Sequence, residues 1–251
     1  MSWPPMPSQT AIAELATHQE ITSSHIYYNA TPSASYAAYR RVVDGATREE
    51  VLALLSSPHA VTRGYMARHV IEHWPDDARA LYPLLHDSAQ IQTIQGCNVG
   101  DWILGHYVFH EIGGVVRQSA TAMQVYLDAT VDPRVGSFRA RGLSLLVESD
   151  PDTALEQALS HVRVADNDSA LWSSLWVLEK LARPEDVPIL ATIVDHPAAT
   201  FRNRLCEPVA RLARTCQDAR VLLDRLRNDP WPQVRELAKE AAQRHLGGEA
   251  G

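Results

Sequence analysis

The stretch Asp229-Pro230-Trp231-Pro232-Gln233-Val234-Arg235 opens a helical pattern that runs to about His245, and the chain repeats that opening. Its plan is a polar residue, Pro, a short spacer, an apolar residue and Arg. It recurs at Asp132-Pro133…Phe138-Arg139 and His196-Pro197…Phe201-Arg202, and more loosely at Ser57-Pro58…Thr62-Arg63. Proline suits the first turn of a helix, where its missing N–H has no intrahelical acceptor to lose. A chain that restarts helices at Pro58, Ser88, Pro133, Asp168, Pro197 and Pro230, at spacings of 29 to 45 residues, is constrained to stack helical units. The Arg of each start is placed to reach an acidic loop residue of a neighbouring unit.

Between these starts the apolar residues keep helical spacing. Ser8 or Thr10 begins a first helix reaching about Gln19, and residues 22–34, rich in Ser, Thr and Asn, read as loop. Tyr36, Tyr39, Val42 and Val43 share one face of the next helix, which Gly45 ends. Thr47 and Glu50 form a capping box for the helix that follows. Helices are expected over 59–73, 77–86 and from Ser88 to Ile112, interrupted near Gly96 and broken by Gly113-Gly114, with a partner over 119–130. Further pairs are expected over 134–148 with 152–164, 167–182 with 185–195, and 198–214 with 217–228, then a lone helix over 231–245. Pro208 lies inside an otherwise helical run and implies a bend, not a boundary. The long 45-residue spacing marks an insertion around Gly113–Arg117. Almost nothing suggests strands.

The Asp-Pro…Val-Arg start followed by Leu237, Ala238, Ala241 and Ala242, and the turn Arg183-Pro184-Glu185-Asp186-Val187-Pro188-Ile189-Leu190, resemble HEAT-type repeats. The resemblance is good over 132–245, fair over 57–87 and poor over 88–131 and 1–56. It implies an all-α, right-handed α–α superhelix of five to six helix pairs, with inner helices lining a concave face. One such domain would span 1–251, with 1–30 loosely packed and 246–251 a flexible tail. The fold implies no single activity, since function lies in sites and not in architecture.

Composition narrows the partners. The formal charge is −7. Residues 1–131 carry 7 basic and 12 acidic side chains, and the remainder 16 and 18. Neither part has the cationic excess that phosphate binding relies on, so a nucleic-acid partner is not expected. Arg139, Arg141, Arg202, Arg204, Arg211 and Arg214 read first as ladder residues and solvated faces, and second as a groove for an acidic ligand. Three cysteines suit a reducing compartment, and the start Met-Ser-Trp-Pro-Pro lacks a signal-peptide pattern. No run is apolar enough to span a membrane. A cytoplasmic location is the expectation.

Six of the 11 histidines fall between His59 and His110. His69 with His73, and His106 with His110, are four apart, so each pair shares a helix face. Four imidazoles from two adjacent helices could hold Zn²⁺. The plainer reading is that they flank the core and bond to backbone or carboxylates, and a third is that they line a groove with Trp102, Tyr107 and Phe109. Glu72 and Glu111 sit one position off those faces. Nucleophile-elbow, phosphate-loop and dinucleotide motifs are missing, and no cofactor is implied. Two functions remain open. One is a non-enzymatic scaffold presenting the face around 66–110 to a protein partner. The other is a small enzyme or ligand-binding solenoid using His69, His73, Trp102, His106 and His110. The oligomeric state is not written in the sequence.

Overall fold

In the computed structural model, residues 9–27, 30–164 and 168–247 are described. They fall into two compact units, 1–136 and 137–251. The first unit begins with α1 (Gln9–Leu15), whose Leu15 is fully buried, followed by β1 (Glu20–Ile26) and β2 (Thr31–Pro32). Within the stretch 1–30, Ala11, Leu15, Ile21 and Thr22 are buried, and residues 1–8, 28 and 29 lie outside the described set. The expected loop over 22–34 instead holds most of β1 and all of β2.

Next comes α2 (Ala34–Val43), opened by the Ser33 hydroxyl, which accepts the Tyr36 N–H at 3.1 Å. Helix α3 (Arg48–Leu54) carries the reciprocal capping box of Thr47 and Glu50. Then follow α4 (Ala60–His73) and a 3₁₀ helix, Pro75–His86, where a second α-helix was expected. Pro75 opens that segment and Pro83 lies within it, and an interior proline removes the donor that an α-helical turn requires.

The largest departure lies at 88–112. Where a long helix was expected, residues Gln90–Gly96 form β3 and Asn98–Ile103 form β4. Only Leu104–Val115 is helical (α5), and it runs through Gly113 and Gly114 before ending. Gln90-Ile91-Gln92-Thr93-Ile94-Gln95 combines β-branched residues with near alternation, a strand pattern. Gly96, at φ +59°, supplies the left-handed conformation that a two-residue hairpin turn needs at its first position. The 45-residue spacing is thus accounted for by a hairpin upstream of α5, not by an insertion at 113–117. Helix α6 (Ala120–Val131) and a 3₁₀ turn at Pro133–Val135 complete this unit.

The strands form one sheet in the order β2-β1-β3-β4. The outer pairs are antiparallel, while β1 and β3 are parallel, with Ile21 opposite Thr93. Parallel neighbours need a long crossover, and α2 through the 3₁₀ helix provide it. Two glycines permit close packing, Gly64 of α4 against β1 and Gly105 of α5 against the 3₁₀ helix. A Cβ at Gly64 would lie 2.2 Å from Ile21 Cδ1, and one at Gly105 would lie 2.5 Å from the Leu85 carbonyl oxygen. Tyr65, Met66, Leu81, Leu104, Tyr107 and Ile112 form the buried centre.

The second unit is helical. The expected helix over 134–148 is divided: after Gly136, at φ +75°, a 3₁₀ segment covers Ser137–Gly142 and α7 covers only Leu143–Ser149. Then come α8 (Pro151–Val164), α9 (Asp168–Leu181), α10 (Val187–Val194), α11 (Ala199–Leu212), α12 (Gln217–Arg227) and α13 (Pro232–Leu246). Helix α11 continues through Pro208. Leu143, Leu175, Leu178, Leu190, Leu205, Val209 and Val234 are buried here.

The recurring Arg has a defined task in each unit. Arg63 donates from Nε to Asp87 at 2.8 Å and from Nη1 to the Ser57 carbonyl at 2.7 Å. Arg202 pairs with Asp229 through Nε at 2.7 Å and Nη2 at 3.0 Å, and also reaches the Pro197 carbonyl. Arg235 returns to the carbonyls of Asp229 and Pro230. Each Arg ties the loop before its own helix; Arg202 also fastens Asp229 at the next helix start, and Arg63 fastens Asp87 between the 3₁₀ helix and β3.

Candidate functional site

Helix α5 leaves β4 directly, and residues 107, 110 and 111 then recur at i, i+3 and i+4, so they share the helix face turned toward the hairpin. Thr93, Gln95, Asn98, Gly100 and Trp102 of the hairpin and Tyr107, His110 and Glu111 of α5 line a cavity of about 230 Å³. The Trp102 ring is 5.3 Å from the His110 ring and 6.3 Å, edge-on, from the Tyr107 ring. A Cβ at Gly100 would lie 2.9 Å from Trp102 Nε1, so the bare glycine lets the indole lie across the strand.

Two polar groups in this cavity are costly as they stand. Tyr107 is 1% exposed, and its hydroxyl has no hydrogen-bond partner. Burial, then the charge of Glu111, holds its ionisation well above the ordinary phenol range. The Glu111 carboxyl is raised above the usual carboxylate range, first by burial, against the opposing charges of Arg68 and His110. Its Oε1 lies 3.7 Å from His110 Nδ1. Arg68 of α4 is engaged elsewhere, donating to Glu72 at 2.7 Å and to the Thr22 carbonyl at 3.3 Å.

A second polar cluster nearby is closed. Tyr65 Oη accepts the Thr22 N–H at 2.8 Å and meets Ser35 Oγ at 2.9 Å and Thr22 Oγ1 at 3.0 Å. Tyr65 stacks on Tyr39 at 4.7 Å, and Tyr39 Oη bonds His69 Nδ1 at 2.8 Å. These groups fix α2, α4 and β1 together, and each hydroxyl has partners.

The five residues singled out from the sequence therefore separate. Trp102 and His110 line the cavity. His69 is buried in the closed cluster, His73 is exposed with its ring 4.2 Å from that of His69, and His106 is half-buried on α5. Among the described residues no three His, Cys, Asp or Glu side chains are grouped to hold a metal ion, so the four imidazoles do not converge on one. From the sequence, Tyr107 is only an aromatic neighbour of the histidines and Glu111 lies one position off their face. The signal that promotes them is tertiary: the hairpin closes over the α5 face that carries both. A larger groove of about 510 Å³, lined by His18, Glu20, His59, Gln92 and Asp101 among others, holds none of the buried unpartnered polar atoms.

In the second unit the arginines are mostly spoken for. Arg204 meets Glu179 at 3.1 Å and lies 4.6 Å over the Trp172 ring, and Arg211 caps the carbonyls of Glu179 and Ala182. Among the described residues no helix is long and apolar enough to cross a membrane. Compared with known proteins, the sequence matches no family model and no curated protein.

Proposed function

We propose that this chain is a non-enzymatic binding module built on HEAT-like helix pairs, with the β3–β4 hairpin and α5 as its recognition surface for a protein partner. The observation that carries the reading is β4 itself. It is the outer strand of the sheet, and it exposes Val99 at 55% and Ile103 at 37% beside the Trp102 cavity. An outer strand offers unpaired backbone groups to an incoming chain, and flanking pockets then select its side chains. The HEAT-like assignment, with its single right-handed stack, rests on the recurring Pro-to-Arg helix starts. The excess of acidic side chains favours a basic partner surface.

The test compares wild type with Val99→Lys/Ile103→Lys, both exposed positions, in affinity capture with cross-linking. A protein retained by wild type and lost by the variant, then shown to bind in purified form, is the expected result. Identical capture by both forms at equal thermal stability would remove the hairpin from the interface.

A second reading has its own observation. The unpartnered hydroxyl of Tyr107, with the half-buried Glu111 carboxyl one helical turn on, suits a pocket that takes a small polar ligand, since native interiors seldom leave such groups unsatisfied. The pocket and the strand edge adjoin, so one module could use both.

A further inference from the structure

We propose that the cavity between the β3–β4 hairpin and α5 binds an ammonium group, with Glu111 and Tyr107 as its polar partners and Trp102 as its aromatic wall. The inference rests on the second reading above and adds the chemical class of the ligand. Size sets the first limit. A volume of about 230 Å³ equals roughly eight waters at ~30 Å³ each, room for a small molecule or one side chain.

Charge sets the second. Arg68 is paired with Glu72 at 2.7 Å, and Glu111 meets only the His110 imidazole, at 3.7 Å, so its carboxylate is the least compensated charge lining the cavity. An anion would face Glu111. A purely apolar ligand would leave the Tyr107 hydroxyl without a partner and the carboxylate with His110 alone. A cation bearing N–H groups donates to the carboxylate and to the lone pairs of the Tyr107 oxygen, so both deficits are met together. The ring face of Trp102 adds cation–π attraction, which strengthens where water is excluded. The same ammonium chemistry is presented by a free alkylamine and by a lysine side chain of a bound segment.

The test uses the full chain and follows the Trp102 indole N–H by NMR during titration with n-butylammonium, n-butanol and n-butyrate, which share a chain and differ in charge. Saturable shifts with butylammonium, at least tenfold weaker with Glu111→Gln and absent with butyrate, are expected. Tyr107→Phe should weaken binding severalfold while leaving the fold intact, as read from the remaining amide signals. Butanol binding as tightly as butylammonium, with no effect of Glu111→Gln, would overturn the ammonium assignment and leave the ligand pocket standing. No saturable shift with any of the three, nor with the peptide that follows, would overturn both. A pentapeptide with a central lysine, set against its norleucine twin, separates the sources. Tighter binding of the lysine form than of butylammonium assigns the pocket to a partner side chain, and the reverse assigns it to a free amine.

Discussion

Two tyrosines show how the same residue type serves opposite ends in one unit. Tyr65 Oη is satisfied by Thr22 and Ser35, while Tyr107 Oη is buried and alone. Removing a hydroxyl that has partners orphans them, whereas removing an unpartnered one relieves a desolvation cost. Tyr65→Phe should therefore lose about 1–3 kcal/mol, and Tyr107→Phe should lose nothing or gain up to about 1 kcal/mol, in urea denaturation. A large loss with Tyr107→Phe would show that its hydroxyl is satisfied in solution. His69 gives a pH signature. Burial, then the charge of neighbouring His73, pushes it down to about 4, below the ordinary 6.5 of histidine. As pH falls between those values the unfolded chain takes up a proton that the folded chain refuses, so stability is lost on acidification. The loss should be about 2 kcal/mol between pH 7 and pH 4.5, less than the full shift implies because His73 is open to solvent. Tyr39→Phe/His69→Phe, which leaves no stranded hydroxyl, should lose that much less over the same range, and an equal loss would assign the acid sensitivity elsewhere.

At the scale of elements, the helix starts work by a shared device whose strength varies with burial. The Arg202 and Asp229 side chains are only 7% and 5% exposed, against 14% and 18% for Arg63 and Asp87. Breaking a buried pair leaves one charge without compensation, so Arg202→Met should cost about 3–5 kcal/mol. Arg63→Met should cost less, and Arg202→Met/Asp229→Asn should recover much of the loss, since no lone charge then stays buried. Equal effects of the two single substitutions in thermal or urea unfolding would refute the ranking. These starts were legible because Pro, spacer and Arg are local in sequence. The capping box of Thr47 and Glu50 was legible for the same reason. The hairpin was not read, although Gly96 and the Gln-Ile-Gln-Thr-Ile-Gln run signal it, because apolar residues at 102, 103, 109 and 112 also fit a helix. Strand β1 was harder to read. Its Ser/Thr-rich sequence resembles a loop, and it pairs with a strand some 70 residues away.

For the whole molecule, charge decides what approaches. With −7 overall and acidic excess in both parts of the chain, binding driven by counterion release from nucleic acid is not expected. Duplex DNA should not be retained in filter binding at ~150 mM salt, and salt-sensitive retention would reverse that reading. The sequence by itself determined that the chain is mostly helical, where most helices begin, and that Arg63, Arg202 and Arg235 secure their starts, because those features follow from periodicity and capping within a few residues. It also drew attention to the region around 102–110. Tertiary structure alone decided that β1 joins β3, that His69 is sealed while His110 borders a cavity, and that Tyr107 and Glu111 face the hairpin. Those outcomes depend on which distant segments come together, and burial assigns a chemical role to a side chain only after they have.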